Sequence, residues 1–193
     1  MNNNRSTFFV ADEITRKIIL LFIFEKMEMP LSENTLSEII MSNPDLMSYM
    51  DYREALAKIV DVKFVVAKNT SGDLMYQLTK DGRDCLSHFW TKIPASIREG
   101  IIKYTDENKL RMKRSQEYRI DYFKNSDGTQ TAVFMIKDYT GPYNLMELKL
   151  RVPSRADAIR AAARWKDKAP EVYEFIYNHL VEVEQEEHDN ATV

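Results

Sequence analysis

Lys63-Phe64-Val65-Val66-Ala67-Lys68-Asn69-Thr70-Ser71-Gly72-Asp73-Leu74-Met75-Tyr76-Gln77-Leu78-Thr79-Lys80-Asp81-Gly82 decides the reading of this chain. Lys63 to Lys68 and Leu74 to Leu78 are two apolar runs separated by turn formers, Asn69 to Asp73, which is the signal of a hairpin. In the second strand Tyr76 and Leu78 are two apart and share a face. Thr79 is placed to cap a helix by accepting a backbone N–H of its first turn. Gly82 stands in that first turn, where the missing side chain lets another element come close.

Upstream, apolar spacing predicts three helices. Asp12 and Glu13 suit a helix start, and Ile14, Ile18, Leu21 and Phe22 recur at helical spacing to about Met27. Ile19, Leu20, Ile23 and Phe24 widen that band nearly all round, so the helix is expected to be buried on more than one side and to serve a core or a partner subunit. Pro30 ends it. Ser32 to Asn43 is a second helix, with Leu36, Ile39 and Ile40 inward. Asn43-Pro44-Asp45 is a turn, and a third helix follows from about Leu46 to Val62. Tyr49, Tyr52, Leu56, Ile59 and Val60 line its inner face. The second and third helices with their short turn make a helix-turn-helix.

Downstream, a fourth helix is expected over Lys80 to Thr91 and a fifth over Ala95 to Asn108, with Pro94 between them. Met112 to Lys124, Thr129 to Lys137 and Leu145 to Val152 alternate and read as strands, joined by Ser126-Asp127-Gly128 and by Asp138 to Pro142. This antiparallel meander needs a cover on one face. Helices over Arg155 to Lys168 and from Pro170 onward supply it, with Ala158, Ile159, Ala162 and Trp165, then Val172, Phe175, Ile176 and Leu180, as the stripe. Met1 to Val10 reads as a tail or short strand, and Glu182 to Val193 as an acidic end.

The fold class is therefore α+β: an N-terminal winged helix-turn-helix, residues 1–92, then a three-stranded antiparallel meander covered by C-terminal helices, residues 93–193. The 193 residues carry 30% charged and 44% hydrophobic side chains and a net charge of −3, which suits a folded chain and argues mildly against a dedicated nucleic-acid binder. The single cysteine, Cys85, excludes an internal disulfide. No signal peptide is read at the N-terminus, and the apolar run Ile18 to Phe24 is far shorter than the roughly 20 residues of a membrane span. A cytoplasmic protein without membrane association is expected.

The order of helices, hairpin and Tyr-x-Leu-Thr-x-x-Gly at Tyr76 to Gly82 resembles winged-helix transcription regulators of the PadR and MarR kind over the first half of the chain. The whole chain resembles a bacterial winged-helix family known only as a domain of unknown function. In that family the wing is followed by Phe-x-x-x-Ile-Pro, here Phe89 to Pro94. The resemblance implies a role in transcription and names no DNA site or effector.

A recognition helix presents its N-terminal residues to base edges. On the third helix a step of about 100° turns Asp51, Glu54, Lys58 and Asp61 outward, a largely acidic face that a duplex repels. Ser48 and Arg53 flank it and remain available to DNA. Lys63, Lys68, Asn69 and Thr70 of the wing, with Lys80 and Arg83 of the next helix, are candidates for phosphate contact. The expected function is thus a homodimeric, double-stranded-DNA-binding transcriptional regulator, with helix 1 and the C-terminal helices as dimer surfaces. The alternative is a winged-helix module that binds protein and not DNA. The C-terminal module is left free to hold a small-molecule or protein effector.

Lys109, Arg111, Lys113, Arg114 and Arg119, with Tyr118 among them, form the most basic run, readable as a nucleic-acid track or as a solvated strand edge. Met27, Met29, Met41, Met47 and Met50 around the helix-turn-helix read as core. Cys85 reads as a small core residue. His88, His179 and His188 lack metal-ligand spacing. No phosphate loop, nucleophile elbow or Cys-x-x-Cys is present, so neither an enzyme nor a cofactor is expected.

Overall fold

The computed structural model of the chain describes residues 11–139, 141 and 143–181. The expectations for Met1 to Val10, Glu182 to Val193, His188 and Pro142 lie outside them. The chain divides into two compact units, Met1–Glu117 with Asp138–Tyr143, and Tyr118–Lys137 with Asn144–Val193.

The first unit is built on α1 (Glu13–Met27), which Asp12 caps by accepting the Thr15 N–H at 2.7 Å. Ile18 to Phe24 and Met27 are all buried, so the wide apolar band is spent inside this unit's own core. A two-residue strand, β1 (Leu31–Ser32), leads into α2 (Glu33–Ser42) and α3 (Tyr49–Asp61). Then come β2 (Val65–Thr70), β3 (Asp73–Leu78), α4 (Lys80–Phe89), a 3-10 turn at Trp90–Lys92 and α5 (Ala95–Glu117). The strands form an antiparallel sheet in the order β1-β3-β2, with Leu31 opposite Tyr76 and Val65 opposite Leu78. The core joins α1 to the inward residues Leu36, Ile39, Tyr52, Ile59, Val65 and Leu86.

The expected strand from Met112 begins only at Tyr118. Residues 112–117 are the last turns of α5, whose buried positions are Ile101, Thr105, Met112 and Gln116, at helical spacing. Thr105 bonds back to the Ile101 carbonyl at 2.9 Å, and Gln116 bridges to the β1 region. Two of the four inward residues are polar, which hid the stripe from an apolar count.

The second unit holds β4 (Tyr118–Lys124), β5 (Gln130–Lys137) and β6 (Asn144–Val152) as an antiparallel meander in that order, with Phe134 between Ile120 and Leu148. A single helix, α6 (Arg155–Leu180), covers it. The two helices expected on either side of Pro170 are one. Trp165, Ala169, Val172 and Tyr173 keep the same stripe against the sheet, and that packing carries the helix through a residue that costs about 3 kcal/mol in a helix interior. Trp165 meets Phe134 edge-on at 5.0 Å and donates its indole N–H to the Met135 carbonyl at 3.3 Å. No helix among the described residues is long and apolar enough to cross a membrane.

Candidate nucleic-acid interface

Ser48 starts α3. Its Oγ accepts the Asp51 N–H at 3.2 Å and donates to the Asp51 carboxylate at 2.7 Å. Tyr52, Ala55, Leu56 and Ile59 are buried, which leaves Met50, Arg53, Glu54, Ala57 and Asp61 exposed, together with Tyr49, expected inward. Asp51 and Lys58, expected outward, are only half-exposed and turn toward α1. Arg16 meets Asp51 at 2.6 Å, and the Lys58 ammonium meets Glu13 at 2.9 Å and Glu54 at 2.7 Å. Hydrogen bonds from Lys58 and Lys17 hold the Glu13 carboxyl at about 2, well below its ordinary range. The acidic face is thereby largely neutralised, and Asp61 is its one acid without an ion pair among the described residues. The bases are engaged too, since Arg53 pairs with Glu33 of α2.

The hairpin turns tightly. Ser71 and Gly72 have φ of 51° and 81°, the two positive angles of a type I′ turn, so the strands run on to Thr70 and Asp73 instead of stopping at Lys68 and Leu74. The Ser71 hydroxyl lies 2.8 Å from the Asp138 carbonyl and 3.0 Å from that of Tyr143, which ties the tip to those two residues. Lys68 and Asn69 are exposed and Thr70 is half-buried. All three line a cleft of about 490 Å³ with Pro30, Met75 and Tyr139. Lys63 is exposed, in a left-handed conformation at φ 61°.

Thr79 caps α4 by accepting the Gly82 N–H at 3.1 Å, and its hydroxyl lies 2.9 Å from the Lys63 carbonyl. A Cβ on Gly82 would sit 2.2 Å from the Phe64 carbonyl oxygen, so helix and hairpin meet there without room for a side chain. Lys80 is exposed, whereas Arg83 pairs with Glu25 of α1 at 2.8 Å.

The basic candidate residues thus fall into two groups. Arg53, Lys58 and Arg83 are held by acids. Lys63, Lys68 and Lys80 have no ion pair among the described residues. The basic run is helical from Lys109 to Arg114, not a strand edge, and Lys109 and Arg111 pair with Glu28 and Glu38. Met27 and Met47 are buried as expected, but Met41 and Met50 are exposed. Cys85 is half-buried, and burial pushes its thiol up. Among the described residues no group of three or more His, Cys, Asp or Glu is arranged to hold a metal.

Sequence reasoning missed Arg16 and Gln116. Arg16 sets the charge of α3 from another helix. Gln116, buried, accepts the Ser32 N–H at 2.7 Å and the Thr35 hydroxyl at 2.6 Å, and donates to the Pro30 carbonyl at 3.1 Å. Nothing in local sequence signals either contact, because the partners lie far away along the chain.

The family described as Domain of unknown function (DUF4364) matches residues 16–180, and the chain belongs to it. A search of the curated proteins found no match.

Proposed function

We propose that the first unit of this family member is a winged helix-turn-helix, and that the protein is a homodimeric regulator of transcription that binds double-stranded DNA. The observation that carries the reading is the strand order β1-β3-β2 within helix, strand, helix, helix, hairpin. On this reading α3 is the recognition helix and the β2–β3 hairpin the wing, as in PadR- and MarR-like regulators. Lys63, Lys68 and Lys80 stand at the wing and the start of α4 as phosphate contacts. Ser48 and Arg53 are nearest to base edges, at the start of α3.

DNA binding to fragments from the gene's own neighbourhood, measured across a salt series, tests the reading. Specific affinity should exceed that for random duplex and fall steeply with salt. Lys63→Gln, Lys68→Gln and Lys80→Gln should each lower the salt slope by about 1. Absence of binding at low salt ends the DNA reading, and a strictly monomeric protein in sedimentation ends the dimer.

The second reading, a module that binds protein, is favoured by the acids that already hold Arg53, Lys58 and Arg83. Glu54→Lys with Asp61→Lys spares the Arg16–Asp51 pair and separates the two. A DNA reader gains affinity for duplex, while a protein-binding face loses its partner.

A further inference from the structure

A groove of about 420 Å³ runs between α1, the end of α3 and the end of α4, within the first unit. Its floor is the buried Ile18 and Leu21 of α1 and Ile59 of α3. Its rim is also apolar: Ile14 is 53% exposed, Val62 55% and Phe89 44%. Three large apolar side chains around one concavity form the kind of contiguous patch that marks a binding site, not scattered surface residues. The volume falls in the range of small-molecule pockets, about 300–1,000 Å³.

Charge selects the ligand class. Lys17, Lys58 and Lys92 line the groove, against Asp61 alone among acids. Lys17 and Lys58 already share Glu13. Lys92, on the 3-10 turn after α4, is exposed and has no ion pair among the described residues. Hydrogen bonds from Thr15 lower the ionisation of Asp12, the cap of α1, and the Lys92 charge adds a smaller pull in the same direction. An anionic head is therefore favoured at the Lys92 end, and an apolar tail along the floor.

We propose that this groove binds an amphipathic monocarboxylate, with its tail on Ile18, Leu21 and Ile59 and its carboxylate on Lys92. The site differs from the C-terminal module in which an effector was expected, and it does not depend on DNA binding. A ligand here would lie against Lys58, Ile59, Asp61 and Val62, the last turn of α3 and its C-cap.

The test uses Cys85, the only cysteine, which lines the groove. The full chain is labelled with a maleimide at fixed pH, with decanoate or 1-decanol added below micelle-forming concentrations. The melting temperature is followed in parallel, because a ligand of the folded state raises it whether or not the thiol reacts. Decanoate should slow labelling saturably and raise the melting temperature, with an affinity about tenfold above that of 1-decanol. Lys92→Gln should remove the advantage of the carboxylate and leave 1-decanol unchanged. Equal affinity of the two probes overturns the carboxylate, and no effect of either on labelling or melting overturns the site. Labelling that slows as protein concentration rises, without ligand, assigns the groove to a second copy of the chain and also overturns the proposal.

Discussion

Two residues in the first unit oppose ordinary preference, and each predicts the result of one substitution. Tyr52 is fully buried on α3, its ring 5.8 Å from that of Tyr49, and its hydroxyl has no hydrogen-bond partner among the described residues. Burial pushes its ionisation far above the ordinary range, so the group stays a neutral, unsatisfied phenol. A buried polar group without a partner costs free energy that an apolar replacement of the same shape avoids. Tyr52→Phe should therefore stabilise the protein by about 1 kcal/mol, seen as a higher urea midpoint with an unchanged slope. A loss of stability would mean that the hydroxyl has a partner. Gly82 is the reverse case. Alanine is the better helix former, by about 1 kcal/mol, yet its Cβ would meet the Phe64 carbonyl oxygen at 2.2 Å and Leu78 Cδ1 at 2.7 Å. Backbone cannot swing aside as a side-chain tip can. Gly82→Ala should cost about 3 kcal/mol in the same urea measurement, and a neutral result would refute the close approach of α4 to the hairpin.

Elements were legible where period and punctuation agree. The hairpin with Ser71-Gly72 in its turn, the Thr79 cap and the alternating strand that ends at Lys137 are present as the sequence reads them, although the hairpin strands run closer to the turn, to Thr70 and from Asp73. The end of α5 and the continuity of α6 were not legible. Thr105 and Gln116 are inward polar residues whose bonds to Ile101 and to Ser32, Thr35 and Pro30 exist only in the folded chain. Pro170 reads as a break because the packing of Trp165 and Ala169 that overrides it is tertiary. The interface suffered most. Which charges on α3 are free depends on Glu13, Arg16 and Glu33, all on other helices. The contact of α1 with α3 should show in acid. Glu13 ionises at about 2 in the folded chain, against an ordinary 4.5, so the unfolded chain takes up its proton first as pH falls. Its contribution is complete above about pH 4.5 and is lost toward pH 2. Glu13→Gln should therefore make stability fall less steeply across that window, as read by urea unfolding at a series of pH values. An unchanged slope would show that Lys58 and Lys17 do not hold the carboxylate in solution.

At the scale of the whole molecule, the two units have separate cores of unequal depth. The first joins α1 to buried side chains from the helices and strands around it. The second rests on Ala132, Phe134, Ile136, Trp165 and Ala169, with one helix covering one face of a three-stranded sheet. Little apolar surface is removed from water by so small a core, and local stability follows buried apolar contact. The second unit should therefore unfold first. The two tryptophans allow a direct test. Trp90 is exposed in the first unit under the Arg98 guanidinium, and Trp165 is buried in the second. In Trp90→Phe protein, fluorescence reports Trp165 alone, while far-UV circular dichroism is dominated by α1 to α5 of the first unit. The fluorescence midpoint in urea should fall below the dichroism midpoint, since probes coincide only for a two-state transition. Coincident midpoints would mean that both cores melt as one cooperative block. In that case the chain passages at 117–118, 137–138 and 143–144 transmit more than connectivity, and a ligand of the first unit would stabilise the second by the same free energy.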